Sequence, residues 1–273
     1  MRSQSSFDTV RVVGGLLPSN LLDRVGVQDP DLEAAGPGDY FLAPGERIGE
    51  AVTRSWNRLR GRWERFADRL EKDGALTGPT RQEWLLPLFQ ELGFGHLPTV
   101  AAFEVEGKSY PISHLWESTP IHLVGVGVEL DRRSPGVAGA ASASPHGLVQ
   151  EFLNRSDEHL WAVVSNGVGL RLLRDNASLT RSAYVEFNLR EMFTDEVYSD
   201  FVLLWLTCHA SRFEGPAGKQ VLERWREDAA KQGVRALDAL RDGVESAIEG
   251  LGTAAVGHPD NLELRQHLDD GSL

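Results

Sequence analysis

The sequence predicts an α+β fold with α/β character: a sheet of about six strands flanked by helices, with a helical extension at the C-terminal end. Three observations carry that prediction. Two stretches of helical periodicity precede any strand pattern, the strand-like runs lie between Thr99 and Leu189 with one helical segment among them, and helical periodicity resumes from Glu196. The resulting division is an extended arm over 1–44, an α/β core over 45–195 and a helical extension over 196–273.

Taken in order, residues 1–44 are punctuated by Pro18, Pro30, Pro37-Gly38 and Pro44 and show little sustained periodicity, which reads as a loosely packed arm. From Glu46, the positions Ile48, Val52, Trp56, Leu59, Trp63, Phe66 and Leu70 recur at intervals of three and four and define one helical stripe. Gly74 and Gly78-Pro79 end that helix. Thr80 is placed to cap a second one, through Trp84, Leu85, Leu88 and Phe89 to a stop at Gly93. Strands are expected over Thr99–Val105, Ser109–Ser113 and Ile121–Val128. The small-residue segment 134–145 is a loop, after which a short helix runs through Leu148, Val149, Phe152 and Leu153.

Leu160–Ser165 and Val168–Arg174 are joined by Asn166-Gly167, a two-residue hairpin signal. That turn would pair Trp161 with Leu172 and Val163 with Leu170 on one face, and Leu160 with Leu173 and Ala162 with Arg171 on the other. Both faces are apolar except for Arg171, so the hairpin should be covered on each side. Ala183–Leu189 adds a last strand. Helices follow over Glu196–Phe213, Gly218 to about Gly233 and Val234–Leu251, with a frayed end from Pro259.

The 273 residues carry a net charge of −12, which opposes non-specific adhesion to nucleic acid. Glu46 to Lys72 is a local exception, with eight basic and five acidic side chains. Arg54, Arg58, Arg62 and Arg65 lie there at helical spacing, as a phosphate-binding face or as an ordinary solvated one. The single cysteine, Cys208, excludes an internal disulfide framework and suits a reducing cytoplasm. No export signal is evident, and the apolar run Phe201–Cys208 is far short of the roughly 20 residues that cross a bilayer, so a buried helix is expected there and no membrane partner.

Complete catalytic motifs are missing. There is no Gly-Lys-Ser/Thr phosphate loop, Gly125-Val-Gly127 lacks a third glycine, no Gly-x-Ser-x-Gly elbow occurs, and His114 and His122 lack zinc-ligand spacing. The most suggestive string is Glu104-Val-Glu106-Gly-Lys108. A Glu-x-Lys at a strand end is how many nucleases place a carboxylate on Mg²⁺ and a lysine beside the attacked phosphate. It is also how an exposed hairpin turn looks, and no acidic residue lies between Glu91 and Glu104 to supply a second ligand. Mg²⁺ is therefore expected only if that string is an active nuclease site; no other metal or cofactor is.

The strings SYPISHLWESTPIHLVGVGVELDRR, SPHGLVQEFLNRSDEHLWAVVSNGVGLRLLRD, YSDFVLLWLTCHASRF and GVRALDALRDGVESAIEGLG resemble the N-terminal region of type IIG-like restriction-modification adenine methylases, including methylases of phage-defence islands such as DISARM. The resemblance spans about 46 to 258. It implies a prokaryotic restriction-endonuclease-like mixed sheet, a PD-(D/E)xK core, with Ser165-Asn166-Gly167 where Thr-Asn-Gly would stand and Gln150 where a glutamine opens the helix after the active-site strands. Pro111-Ile-Ser-His114 then takes the place of Pro-Asp, and Leu123-Val-Gly125 that of Glu-x-Lys. The implied partners are DNA and a methylase domain or subunit; this chain has no Asn-Pro-Pro-Tyr/Phe motif of its own and reads as the N-terminal part of a longer or split methylase. Three functions are carried forward: a degenerate nuclease-like module that engages DNA or positions a methylase, a protein-protein scaffold, and an active Mg²⁺ endonuclease using Glu104, Glu106, Lys108 and Gln150.

Overall fold

The computed structural model describes residues 7–74, 77–175 and 182–261. Its elements are β1 (Val10–Val13), α1 (Ser19–Gly26), α2 (Ile48–Asp73), α3 (Thr77–Pro79), a π-helical stretch Thr80–Leu85 and α4 (Leu86–Glu91). Then come β2 (Phe103–Val105), β3 (Lys108–Tyr110), β4 (His114–Trp116), β5 (Thr119–Leu123), α5 (Pro145–Leu153), β6 (Trp161–Ser165), β7 (Gly169–Arg174) and β8 (Tyr184–Asn188). The chain continues with α6 (Leu189–Thr194), α7 (Tyr198–Cys208) and α8 (Val221–Gly257). It divides into two units, Met1–Arg226 and Glu227–Leu273.

In the first unit six strands form one mixed sheet in the order β1-β8-β7-β6-β5-β4, antiparallel except where β5 meets β6. The parallel step is bridged by α5, as parallel neighbours require a crossover. Ser144 caps that helix by accepting the Gly147 N–H, with Pro145 at its first position. The inner residues of α5, Leu148, Val149, Phe152 and Leu153, pack on Ala162, Val164 and Leu173 of the sheet. Helices α2, α6 and α7 share an aromatic cluster in which Trp56 stacks on Phe193 at 5.0 Å, and Trp84 meets Trp63 and Phe193 edge-on at 5.1 and 5.0 Å. Such pairs contribute about 0.5–1.5 kcal/mol each beyond the area they bury.

The six-strand count agrees with expectation, but the membership differs. The strands expected over Thr99–Val105 and Ser109–Ser113 shorten to a separate two-stranded hairpin, β2–β3. Their places in the main sheet go to β4 and β1. Over its described residues, 7–44, the N-terminal segment is consequently no loose arm. β1 pairs with β8, Thr9 donates from its N–H and hydroxyl to Asp200 at 2.6 and 2.7 Å, and Leu17, Leu21, Leu22, Val25 and Tyr40 are buried. Its prolines shape connections between short elements, and the long-range partners Asp200 and Arg212 supply the order that local periodicity lacks.

The hairpin is covered on both faces as expected, yet its register is Trp161 with Arg174, Ala162 with Leu173, Val163 with Leu172 and Val164 with Arg171. The turn is centred one residue later, on Gly167-Val168. Gly167 takes φ +88° at the first central position, where a type II′ hairpin turn needs glycine. Asn166 stays outside the centre because its side chain is otherwise used: Oδ1 accepts from Val168 and Gly169 N–H at 3.2 and 2.9 Å, and Nδ2 donates to Val128 O at 2.9 Å. Each partner moves by two residues, so every side chain keeps its predicted face.

Gly78-Pro79 does not separate two helices by a loop; Pro79 lies in the opening turn of a run that passes through the π-helical stretch into α4, a position where its missing N–H is harmless. The predicted buried helix at Phe201–Cys208 is present in α7. The two helices expected over Gly218–Gly233 and Val234–Leu251 are one, α8, since Gly233 costs only about 1 kcal/mol inside a helix and stops nothing without a capping partner. Pro259 follows the end of α8, and most of the expected frayed end lies outside the described residues. Among the described residues no helix is long and apolar enough to cross a membrane.

Candidate functional site

The hairpin β2–β3 presents the Glu-x-Lys string. Glu106 and Gly107 form its turn with φ +50° and +75°, Glu104 stands opposite Ser109, and Glu104, Glu106 and Lys108 are exposed. Lys108 Nζ reaches Glu151 Oε1 at 2.6 Å, and Tyr110 donates its hydroxyl to the same oxygen at 3.2 Å. Arg155 completes the group, 3.4 Å from Glu151 and 3.5 Å from Glu106. The hydrogen bond from Lys108 is the main reason that the Glu151 carboxyl is held below its ordinary range.

This arrangement gathers Glu106 and Lys108 into one surface ion-pair group and leaves Glu104 outside it. Gln150 turns to another task, donating from Nε2 to Arg174 O at 3.0 Å and to Asn154 Oδ1 at 2.8 Å, so that it ties α5 to the end of β7. A divalent ion needs converging free carboxylates. Here Glu106 faces a guanidinium and Glu151 carries Lys108, and among the described residues no three His, Cys, Asp or Glu side chains converge in a metal-holding group. Of the carboxylates on and beside this hairpin, Glu106 and Glu151 are thus held by cationic side chains.

On the adjacent strand pair, β4 and β5, a hydroxyl and two imidazoles stand near the places expected for the nuclease carboxylate and lysine. Ser113 Oγ accepts from Leu123 N–H at 2.9 Å and lies 2.7 Å from His114 Nδ1. Arg81 donates to Leu123 O at 2.7 Å from the π-helical stretch. Gly125 admits no side chain, because a Cβ there would sit 2.6 Å from Thr77 Oγ1 and 2.8 Å from its Cα. His114 and His122 are each 1% exposed, and burial, aided by the Arg81 charge, depresses both to about 4. Both imidazoles are therefore neutral near pH 7.

The third feature is the outward face of α2. At about 100° per residue, Arg54, Arg58, Arg62 and Arg65 share one arc with Arg47, at the helix cap, and Arg69. The buried stripe Val52, Trp56, Leu59, Trp63 and Phe66 is centred about 120° away. The two extra arginines continue the spacing of the four singled out from sequence, so the signal was there to be read. Acidic partners from other segments reach part of the stripe: Glu46 pairs with Arg54, Glu91 with Arg58 at 3.3 Å and Glu83 with Arg69. Arg62 and Arg65 are exposed. Arg47, Arg54 and Arg58 also line a cleft of about 1110 Å³ beside the segment from Gln28 to Pro37.

Comparison of the whole chain with models of protein families, with curated proteins and with solved structures found no match.

Proposed function

We propose that this chain is a nuclease-like module that engages duplex DNA without cutting it, within a restriction or phage-defence system in which it positions an adenine methylase. The arginine stripe of α2 is the observation that carries this reading. From Arg47 to Arg69 it runs about 33 Å, close to one turn of duplex at about 34 Å. Arginine forks suit phosphate oxygens, and the helix acids Glu64, Asp68 and Glu71 fall on the other flank, while Glu50 lies 4.0 Å from Arg47. The loss of cutting is supported by the ion pairs that occupy Glu106 and Lys108 and by the hydroxyl and imidazoles on β4 and β5.

Fluorescence anisotropy of a labelled duplex over a salt series tests it. Affinity should fall with salt, and the Arg62→Ala/Arg65→Ala variant should flatten the logarithmic slope by about 2, roughly one counterion per phosphate contact. Absence of binding at low salt would remove DNA from the proposal. Mg²⁺-dependent cleavage that Lys108→Ala abolishes would replace it with an active endonuclease.

One observation favours a scaffold instead. In the second unit Leu237, Leu240, Val244, Ile248 and Leu251 of α8 are all exposed by half or more, an apolar face of the kind that docks partner proteins. Capture of a purified methylase subunit that survives nuclease treatment and is unaffected by Arg62→Ala/Arg65→Ala would support that role.

A further inference from the structure

The second unit, Glu227–Leu273, contributes most of α8, and every residue there from Ala230 to Ala255 is exposed. Val234, Leu237, Leu240, Val244, Ile248 and Leu251 are 51–72% exposed. At about 100° per residue these six fall within one arc of about 120°, the width of a stripe that normally faces a core. Among the described residues of this unit nothing covers it. Gly233, Gly243, Gly250 and Gly252 also weaken the helix from within, because glycine is a poor helix former. A lone helix of this kind is marginal in water and draws its stability from a packed partner.

Spacing and charge identify that partner. Successive apolar positions lie three, three, four, four and three residues apart, a series that reads almost the same in either direction. An antiparallel copy of the segment therefore fits it knobs into holes: Val234 falls opposite Leu251, Leu237 opposite Ile248, and Leu240 with Arg241 beside Val244. Arg241 lies inside the stripe. In a parallel pair it would meet its own copy across the seam, two like charges in contact. In the antiparallel pair it packs beside Val244 and reaches Glu245 of the other copy.

The edges of the stripe agree. Lys231, Arg235, Asp238, Asp242, Glu245 and Glu249 follow one edge, and Ala236, Gly243, Ala247, Gly250 and Ala254 the other. Antiparallel packing sets each edge against its own kind, so the small residues allow close approach on one side and the charged residues meet on the other. Residues 231–241 carry three basic side chains and one acidic, and 242–257 carry three acidic and no basic one. Reversing one copy thus brings the basic end against the acidic end, whereas a parallel pair sets like on like. We propose that residues 230–255 of α8 dimerise this chain by pairing, antiparallel, with the same segment of a second copy. The pairing depends on neither the duplex contact nor a methylase.

Sedimentation equilibrium of the full chain over about a hundredfold concentration series tests it. The expected species is a dimer of twice the 30.1 kDa of one chain, dissociating on dilution. Leu237→Glu/Ile248→Glu sets glutamates against each other across the seam and should raise the dissociation constant by at least about tenfold. Glu245→Arg should weaken the dimer, and adding Arg241→Glu should restore it, a rescue that a parallel pair would not show. Orientation is read with cysteines, since the native Cys208 is buried. In oxidised glutathione, a mixture of Leu237→Cys and Ile248→Cys chains should cross-link the two variants to each other and neither to itself. A chain that stays monomeric across the series, cross-links within one variant, or a dimer that survives Leu237→Glu/Ile248→Glu would overturn the proposal. A monomer that takes up a purified methylase subunit through these residues would overturn it in favour of the scaffold reading. Arg62→Ala/Arg65→Ala should dimerise like the unaltered chain, which keeps failure of this interface distinct from failure of duplex binding.

Discussion

Arg212 shows how one side chain can organise a segment that sequence patterns leave without structure. It is fully buried, lies 4.0 Å above the Tyr40 ring and 5.0 Å from that of Trp225, and donates to Ala34 O at 2.6 Å and Asp39 O at 2.5 Å. Replacing it leaves two carbonyls unpaired, each at about 1–3 kcal/mol. Arg212→Met should thus destabilise the protein by about 2–5 kcal/mol in urea unfolding, and Arg212→Lys should not restore it, because an ammonium lacks the planar fork. Lys108→Ala belongs at the other extreme. Its partner Glu151 is about a third exposed, and such surface pairs contribute below about 1 kcal/mol, so an unchanged unfolding midpoint is expected.

At the scale of elements, the Ser165-Asn166-Gly167 turn joins the hairpin to two other parts of the fold. Gly167 O accepts from Trp84 Nε1 at 2.7 Å, Ser165 Oγ donates to Gly169 O at 2.8 Å, and Asn166 holds Val128 O. A Cβ on Gly167 would meet Thr80 Cγ2 at 2.6 Å with φ already at +88°. Gly167→Ala should cost about 1–3 kcal/mol, read as a lower urea midpoint with the slope unchanged. Helix α2 and the faces of β6 and β7 were legible in sequence because periods of 3.6 and 2 are local properties of the chain. The turn centre was not, since the competition of Val128 and Trp84 for its polar groups is a tertiary matter.

At the scale of the molecule, four histidines among the described residues are buried as neutral rings. Burial depresses His114, His122 and His146 to about 4 and His209 to about 3, with Arg81, Arg171 or Arg212 adding repulsion. Their unfolded value is near 6.5. Below it the unfolded chain binds protons that the folded chain refuses, so the stabilisation present above about pH 6.5 is lost as pH falls toward 4, at up to roughly 1 kcal/mol per pH unit for each ring. Glu223 adds to this at lower pH. Burial opposes its ionisation, yet hydrogen bonds from Arg174 at 2.8 and 2.9 Å and from Arg226 hold it below the ordinary glutamate range, and that contribution disappears as the carboxyl protonates. Urea unfolding at about pH 7.5 and about pH 5 should therefore show a marked loss at the lower value; a flat profile would mean that the rings do not stay neutral.

By itself the sequence determined the helix faces, the apolar hairpin, the buried α7 and the basic run on α2, all of which follow from the spacing of side chains along a regular backbone. It also located the Glu104–Lys108 turn and left its use open. Only the tertiary structure decided that Glu106 and Lys108 are engaged by Arg155 and Glu151, that Val10–Val13 is an edge strand, and that Arg81 reaches Leu123 O at the end of β5. Those outcomes depend on groups tens of residues apart, whose pairing is set by burial and hydrogen-bond demand, and neither quantity is written in local periodicity.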